Sequence, residues 1–374
     1  MKRVTWDLLV PAIEKSQSLT DLIALADEES KLAGRIVAQE GPVFTIVTRE
    51  RTVTATVSGK LAYASRAGTD VAPAVGDWVL LAGDNSWQVE VVWPRQTVFE
   101  RKEAGLRTRA QVLCSNLDVA VIVTTAPPVV AIGDDPIAEQ SLRDFSVRRV
   151  ERFIATLDAA VRPIVVLNKA DLITDVTRVE RSVEAELPGA TVIALSALSG
   201  DGTDRLSKEL LPGETAVLVG SSGSGKSTLI GRLTGEPILT NAVRAFDGRG
   251  VHTTTTRIMY ALDSGALIVD TPGVREVQLW TTDGDDDRRL DRTFPEIALR
   301  GADCRFRDCT HGVEPGCAVR EAVRSGEITQ DRYLSYLQLR DERDTIALRR
   351  EKQDRLTQRR TSRRAKRVRG GRGA

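Results

Sequence analysis

Residues 31–100 consist of short runs in which apolar and polar residues alternate. The runs begin at Gly34, Val43, Thr52, Trp78 and Trp87. Alternation with a period of two is typical of half-buried β-strands, and several short strands separated by glycine-containing turns predict a small barrel. Five strands fit an OB-fold, but an SH3-like barrel has much the same pattern, so the pattern leaves both open.

Longer apolar runs follow, and they predict a different architecture. Strands are expected near residues 119–125, 163–167, 191–195, 215–219, 257–262 and 266–270, with helices between them. Strands that alternate with helices are typical of a doubly wound α/β sheet, whose ligands bind beyond the carboxyl ends of the strands. We therefore expect residues 31–105 to form the barrel and residues 110–280 to form an α/β domain.

Two other segments have weaker patterns. Residues 1–30 form an N-terminal extension with a short amphipathic helical pattern around Leu22, to which we assign no function. Residues 127–148 contain paired prolines and a glycine followed by two aspartates, which predict an insertion within the α/β domain.

The charge of the chain is unevenly distributed, and the difference is concentrated at the C-terminus. The 374-residue chain has a net charge of +1, yet residues 349–374 hold twelve Lys/Arg and two acidic residues, so this tail carries +10 and the rest −9. A tail whose only large hydrophobic residues are Leu356 and Val368 cannot bury a core. We expect it to be disordered and to bind a polyanion such as RNA. Neither a signal peptide nor a membrane-spanning apolar stretch is apparent, and the cysteine pattern does not resemble a secreted disulfide framework. We expect a cytoplasmic monomer without a membrane partner.

A glycine-rich segment joins the apolar run 216–219 to a helical pattern that includes Leu229 and Ile230. A strand, a glycine loop and a helix are the context of a phosphate-binding loop, in which backbone N–H groups surround a phosphate at the positive end of the helix. Lys226 is expected to reach the β- and γ-phosphates, and Ser227 to hold Mg²⁺. The predicted phosphate-binding residues are Gly220, Ser221, Ser222, Gly223, Ser224, Gly225, Lys226, Ser227 and Thr228.

A second motif predicts that the base is guanine. Asn168, Lys169, Ala170 and Asp171 follow the apolar run 163–167. The Asp171 carboxylate can accept hydrogen bonds from N1 and N2 of guanine, which adenine does not offer; Asn168 can bond the N7/O6 edge, and the Lys169 stem can cover the base. The next strand leads into a turn that begins with Ser196 and Ala197, and this turn can offer a backbone N–H to guanine O6.

A third motif ends the run 266–269. Asp270 stands at a strand tip, where it can hold the Mg²⁺ shell, and Gly273 can approach the γ-phosphate through its N–H. In isolation, the same residues would fit an ordinary turn that closes a strand. The three motifs occur in the order guanine, phosphate, switch, whereas most GTPases begin with the phosphate loop. A circular permutation produces this order.

Four residues of types that bind metal ions lie close together further along the chain. Cys304, Cys309, His311 and Cys317 supply three thiolates and one imidazole. This set suits tetrahedral Zn²⁺, and four protein ligands leave no open position for catalysis. The alternative is three buried thiols beside an incidental histidine.

The permuted motif order, residues 248–255 and the cysteine cluster together resemble the family of bacterial ribosome small-subunit-dependent GTPase A (RsgA/YjeQ), over roughly residues 31–345. The resemblance implies an OB-fold, a circularly permuted P-loop GTPase and a small zinc-binding α-helical domain, which we place at residues 281–348. It further implies action in late maturation of the small ribosomal subunit, with that subunit and its rRNA as partners. GTP hydrolysis to GDP would then be stimulated by the subunit.

The residues for hydrolysis are less obvious. Val274 occupies the position where many GTPases have a water-orienting glutamine, so intrinsic turnover is expected to be slow. His252 lies in a threonine-rich loop and is the candidate for positioning the water, as the matching histidine is thought to do in related proteins; a polar loop residue or an RNA contact is the alternative. Thr254 or a neighbouring threonine is expected to contact Mg²⁺ in the GTP state.

Two other functions remain open on the sequence. One is a nucleotide-gated RNA-binding module whose own hydrolysis is incidental. The other is a GTPase that acts on a protein or membrane partner, although no apolar anchor for a membrane is apparent in this chain.

Overall fold

The computed structural model describes residues 3–67, 71–83, 86–102, 110–127, 145–221, 223–235, 256–271, 286–345 and 347–348. The chain divides into two compact units, one comprising residues 1–100 and 112–277 and the other residues 101–111 and 278–374. The first unit begins with two helices, α1 (Trp6–Glu14) and α2 (Gln17–Glu28). Leu19 and Leu22 are buried on one face of α2, which confirms the predicted amphipathic helix.

Five strands form the predicted barrel. They are β1 (Leu32–Glu40), β2 (Val43–Thr48), β3 (Thr52–Val57), β4 (Trp78–Ala82) and β5 (Trp87–Val92), with helix α3 (Gly59–Ala67) between β3 and β4. Their order is β1-β2-β3-β5-β4, and β4 pairs back onto β1 to close the barrel. β3 and β5 run parallel, whereas the other pairs are antiparallel. This connectivity is that of an OB-fold, so the choice that the alternation pattern left open is resolved.

The α/β part of the unit is a sheet whose strand order is β10-β9-β8-β11-β13-β12. Its strands are β8 (Val119–Thr125), β9 (Arg162–Asn168), β10 (Thr191–Ala194), β11 (Thr215–Gly220), β12 (Arg257–Ala261) and β13 (Leu267–Asp270). The helices that alternate with them are α4 (Val147–Thr156), α5 (Val176–Glu186), α6 (Thr203–Glu209) and α7 (Lys226–Thr234). All six predicted strands are therefore confirmed. Two further strands precede β8 in the chain, β6 (Val98–Lys102) and β7 (Ala110–Ser115), and they pair with each other in a separate two-stranded sheet.

Two apolar layers cover the faces of this α/β sheet. Along β8, Ala120 and Ile122 contribute to one buried cluster, whereas Val119, Val121 and Val123 contribute to the other. Because successive side chains of a strand point to opposite faces, a strand buried on both faces has to be apolar at every position. This is why β8 and β11 have continuous apolar runs in place of alternation.

The sheet does not end at the α/β part. β12 pairs with β1 of the barrel, with Ala38 opposite Ile258 and Gln39 opposite Arg257, so that all eleven strands form one continuous sheet. The Arg257 guanidinium donates a hydrogen bond of 3.2 Å to the Gln39 Oε1 atom beside this pairing. The barrel and the α/β sheet are thus joined by backbone hydrogen bonds as well as by the chain.

Between residues 286 and 345, the second unit is mainly helical. It contains α8 (Asp286–Thr293), α9 (Pro295–Gly301), α10 (Ala318–Arg324) and a further helix that covers residues 330–345. Phe294 is fully buried, its ring meets that of Tyr336 edge-on at a centroid distance of 5.5 Å, and the Arg332 guanidinium lies 4.4 Å from its centroid. In the part of the chain that the structure describes, no helix has the length and apolar character that crossing a membrane requires.

A buried carboxylate connects the barrel to the segments that follow it. Asp77 is fully buried and accepts hydrogen bonds from the Ser115 hydroxyl at 2.5 Å, the Ala74 N–H at 2.8 Å and two guanidinium nitrogens of Arg95 at 2.7 Å each. The Arg95 side chain is 9% exposed, so its charge has little access to water. A buried ion pair of this kind depends on the presence of both partners.

Replacing Asp77→Ala is expected to lower the free energy of unfolding by about 3–5 kcal/mol, because the buried Arg95 charge loses its counter-charge. Urea unfolding followed by tryptophan fluorescence measures this change, since Trp78 is adjacent. The matched control is Asp204→Ala, which removes an ion pair to Lys208 whose two side chains are 69% and 77% exposed. The control should stay within about 0.5 kcal/mol of the parent. Equal effects of the two substitutions would contradict this account of the network.

Candidate functional site

The phosphate loop connects β11 to α7 and requires glycine at two of its positions. Gly220 has φ +143°, and a Cβ atom there would lie 2.0 Å from the Val123 carbonyl oxygen. Gly225 has φ +93°, and its Cβ would lie 2.1 Å from the Asn168 side-chain nitrogen. Both positions combine a left-handed backbone with a close approach, which side chains do not tolerate. Ser222 lies outside the described residues.

Lys226 is the first residue of α7, and its side chain folds back over the loop. The ammonium group donates a hydrogen bond of 2.7 Å to the Gly220 carbonyl oxygen and a second one to the carbonyl oxygen of Ser221. The loop is further closed by the Ser224 hydroxyl, which donates to the Ser221 carbonyl at 3.0 Å. Ser227 and Thr228 lie in the first turn of α7, at the positive end of its dipole. A positive side chain and a helix N-terminus therefore face the same loop.

The guanine motif starts at the carboxyl end of β9. Asn168 is its last residue, Lys169 has a left-handed φ of 64°, and residues Ala170–Leu172 form a short 3-10 helix. The Ala170 N–H donates to the Leu195 carbonyl at 3.1 Å, which fixes the motif against the end of β10. Asp171 is exposed and faces solvent. Its carboxylate is therefore accessible to a base.

Asn168 is buried and connects three segments of the chain. Its amide nitrogen donates a hydrogen bond of 2.7 Å to the Ser224 carbonyl of the phosphate loop, and its amide oxygen accepts one of 2.9 Å from the Ala197 N–H. The partners are a carbonyl and an N–H, so their chemistry determines the orientation of the amide. The structure shows Asn168 hydrogen-bonded to the phosphate loop and to the turn after β10. The predicted contact between Asn168 and the N7/O6 edge of the base stays a prediction.

The turn after β10 is held from several directions. The Ser196 N–H donates to the Asp201 carbonyl at 2.9 Å, and the Gly200 N–H donates to the Ser196 carbonyl at 2.8 Å. On its other side, Arg232 of α7 donates a hydrogen bond of 3.4 Å to the Ala197 carbonyl and another to the Leu198 carbonyl. Arg232 belongs to none of the motifs that the sequence shows. An arginine on the surface of a helix has no distinguishing pattern, so only the contact itself reveals it.

The predicted Mg²⁺ ligand Asp270 lies near the phosphate loop. It is the last residue of β13, half-buried, and pairs with Leu218 two residues before the end of β11. The adjacent Thr271 is buried and donates a hydrogen bond of 3.1 Å to the Leu218 carbonyl. Asp270 therefore reaches the same edge of the sheet as Lys226 and Ser227. His252, Thr254, Gly273 and Val274 lie outside the described residues.

The second unit brings the four predicted metal ligands together. The ligand atoms of Cys304, Cys309, His311 and Cys317 all lie within 4.8 Å of one another. The Cys304 sulfur is 3.9 Å from that of Cys317, and His311 Nδ1 is 3.5 Å from the first and 3.6 Å from the second. Tetrahedral Zn²⁺ with bonds of about 2.3 Å to sulfur has ligand separations of about 3.8 Å. The donor set and its spacing therefore fit a metal ion.

Two contacts hold the imidazole in this position. His311 has a left-handed φ of 59°, and its carbonyl accepts a hydrogen bond of 2.6 Å from the Tyr333 hydroxyl. A Cβ atom on Gly301 would lie 3.3 Å from the imidazole, so the ring packs closely against α9. Burial lowers the pKa of His311, and the positive charge of Arg340 acts in the same direction. The neutral imidazole, which is the form that binds a metal, is therefore favoured.

Comparisons with known proteins agree with this arrangement. A family model described as RsgA GTPase matches residues 92–280. A relative from Lactiplantibacillus plantarum, named small ribosomal subunit biogenesis GTPase RsgA 2, is 40% identical over 322 residues, or 85% of each chain. A relative from Opitutus terrae, named small ribosomal subunit biogenesis GTPase RsgA, is 40% identical over 340 residues, or 86% of each chain.

Solved structures show the same architecture. YjeQ from Thermotoga maritima is 25% identical, with a TM-score of 0.58 over 83% of this chain and 97% of its own. YloQ, described as a circularly permuted GTPase, is 23% identical, with a TM-score of 0.56 over 84% of this chain and 96% of its own. Because the matches in sequence and in structure both extend over most of the chain, this protein belongs to the RsgA GTPase family of circularly permuted GTP-hydrolysing enzymes.

Proposed function

We propose that this GTPase acts in the biogenesis of the small ribosomal subunit, where it binds rRNA and hydrolyses GTP when docked. The proposal rests on one observation: Asn168 of the guanine motif is hydrogen-bonded to the phosphate loop at Ser224 and to the turn after β10 at Ala197. The names of its relatives support the choice of partner, since they are called small ribosomal subunit biogenesis GTPases. The subunit and its rRNA would be the partners of a monomeric, cytoplasmic protein.

In this proposal GTP lies beyond the carboxyl ends of β9, β11 and β13. The Lys226 ammonium exchanges its two carbonyl partners for the β- and γ-phosphates, and the loop N–H groups from Gly220 to Thr228 surround the phosphate. The Asp171 carboxylate binds N1 and N2 of guanine, and Lys169 with Ala170 borders the base. Because Asn168 holds both motifs, the base and the phosphates are recognised by one rigid unit.

The three proposed Mg²⁺ ligands, Ser227, Thr254 and Asp270, all offer oxygen atoms, which this ion prefers. Ser227 and Asp270 belong to the described residues, whereas Thr254 lies outside them. When bound with the nucleotide, Mg²⁺ supplies neutralising charge for the β- and γ-phosphates. The N–H of Gly273 is proposed to approach the γ-phosphate, and His252 to orient the attacking water, since Val274 has no hydrogen-bonding side chain.

Zn²⁺ is the metal that we propose for the cysteine cluster. Three thiolates and one imidazole occupy all four positions of a tetrahedral site, so the ion would hold the loop between α9 and α10 and take no part in hydrolysis. A small helical module with a limited core gains much of its stability from such an ion. The domain boundaries 31–105, 110–280 and 281–348 are proposals of the same kind.

The barrel and the tail are proposed to bind rRNA. Trp78 is 2% exposed and belongs to the core, but Trp87 is half-buried and carries the Arg51 guanidinium 5.2 Å from its ring centroid. Trp87 lies opposite Ala55 of β3 and packs at the margin of the core. A half-buried aromatic ring with a cation beside it suits a stacked base and a phosphate. The basic residues 349–374 would add affinity that does not depend on RNA sequence.

Purified small subunits from the same organism are expected to stimulate single-turnover GTP hydrolysis. Replacing His252→Ala should leave GTP affinity unchanged and lower the stimulated rate about 100-fold, because the water loses its positioning group. Rapid-quench measurements with and without subunits, paired with equilibrium GTP binding, separate the two effects. Absence of stimulation in the parent protein would favour an RNA-binding module with incidental hydrolysis. Full stimulation of the variant would remove His252 from the mechanism.

Replacing Cys317→Ser is expected to reduce bound zinc from about one equivalent to a small fraction, since a hydroxyl is a poor ligand for this ion. Elemental analysis of the purified protein measures zinc, and circular dichroism records the accompanying loss of helix. The matched control is Cys114→Ala, which removes a buried thiol outside the cluster and should retain the zinc. Unchanged zinc content in the Cys317 variant would rule out the proposed site.

A further inference from the structure

The turn formed by Ser196, Ala197 and Leu198 has two differently bonded sides. The N–H groups of Ser196 and Ala197 donate to the Asp201 carbonyl and to the Asn168 amide oxygen, at 2.9 Å each. The carbonyls of Ala197 and Leu198 both accept hydrogen bonds from Arg232. Within the described part of the chain, the N–H of Leu198 has no hydrogen-bond partner. It is therefore the amide of this turn that remains available to a ligand.

Arg232 controls the direction of that N–H through a single peptide group. The Ala197 carbonyl and the Leu198 N–H belong to the same peptide, and in a planar trans peptide they point in opposite directions. A guanidinium that holds the carbonyl on one side consequently aims the N–H to the other side. A charged donor on the carbonyl also polarises the peptide, which makes its N–H a stronger donor.

The contact is supported by the packing around it. A Cβ atom on Gly200 would lie 3.4 Å from the Arg232 Cζ atom, so the guanidinium lies against the backbone of the same turn. Gly200 has φ +97°, and its N–H donates to the Ser196 carbonyl. The guanidinium therefore meets a turn that is already constrained internally. Arg232 belongs to α7, whose first residue is Lys226 of the phosphate loop.

We propose that Arg232 is a positioning residue for guanine recognition, which aims the Leu198 N–H at the O6 atom of the base. The inference rests on the proposed placement of GTP between Asp171 and the phosphate loop. The two groups would then read different atoms of guanine. Asp171 would read N1 and N2, whereas the turn held by Arg232 would read O6.

Three nucleoside diphosphates, GDP, 6-thio-GDP and IDP, test the contacts to O6 and to the 2-amino group separately. A diphosphate lacks the γ-phosphate that the enzyme removes, so binding can be measured without hydrolysis. In 6-thio-GDP a sulfur replaces O6 and accepts hydrogen bonds poorly, whereas IDP keeps O6 and lacks the 2-amino group that Asp171 would bind. The full-length parent protein is expected to bind 6-thio-GDP about tenfold more weakly than GDP. Replacing Arg232→Ala should weaken GDP binding about tenfold and leave 6-thio-GDP binding nearly unchanged, which brings the ratio of their dissociation constants close to one. The ratio of the dissociation constants of IDP and GDP should stay as in the parent protein.

Isothermal titration calorimetry gives these dissociation constants, and three further measurements complete the test. Arg232→Lys keeps one donor and should give an intermediate ratio for 6-thio-GDP. Lys208→Ala is the matched control, because this cation lies on the neighbouring helix α6 and pairs with Asp204. It should match the parent in all three constants. In steady-state hydrolysis, Arg232→Ala should raise KM for GTP and leave kcat nearly unchanged.

The outcomes distinguish the inference from the function on which it rests. If the parent protein does not prefer GDP to ADP, the proposed function fails, and the inference fails with it. If the parent prefers GDP and the Arg232→Ala variant keeps the parent ratio for 6-thio-GDP, the inference alone is overturned. Equal weakening of GDP, 6-thio-GDP and IDP would likewise overturn it, since that result indicates a general structural role.

Discussion

The proposed nucleotide site depends on the side chain of Asn168. This buried amide holds the carbonyl of Ser224, which is 56 residues away in the sequence, and the N–H of Ala197, which is 29 residues away. Loss of the amide would leave a buried donor and a buried acceptor without partners, which costs about 1–3 kcal/mol each. The glycine at position 225 follows from the same contact, because the amide occupies the space of a Cβ atom there. The guanine motif and the phosphate loop are therefore mutually dependent.

The permuted chain order has no effect on this site, because the site is built on the sheet. β9 and β10 carry the guanine motif and its supporting turn, and they lie on one side of β8, whose other neighbour is β11 with the phosphate loop. β13 lies next to β11 and brings Asp270 to the same edge. Parallel strands present their carboxyl ends together whatever their order along the chain. At the other end of the α/β sheet, β12 pairs with the barrel strand β1, so the strand that follows residues 251–255 in the chain is hydrogen-bonded directly to the barrel.

Much of this arrangement could be predicted from the sequence, because it is encoded in local patterns. The period-two alternation predicted the barrel, the continuous apolar runs predicted the six strands of the α/β sheet, and the ligand types predicted the cluster of Cys304, Cys309, His311 and Cys317. What the sequence could not show is contacts between distant polar groups. No periodic signal in the sequence reveals the pairing of β1 with β12. The same is true of the hydrogen bonds from Arg232 to a turn 35 residues earlier. The choice between OB-fold and SH3-like barrel likewise required the parallel pairing of β3 with β5.

The most direct test of the account is a crystal structure of the full chain with Mg²⁺ and a non-hydrolysable GTP analogue. We expect the Lys226 ammonium to leave the carbonyls of Gly220 and Ser221 and bind the β- and γ-phosphates, while the Asp171 carboxylate lies within hydrogen-bond distance of guanine N1 and N2. The Asn168 bonds to Ser224 and Ala197 should persist. A structure in which Lys226 keeps its carbonyl partners and Asp171 lies far from any purine would contradict the account.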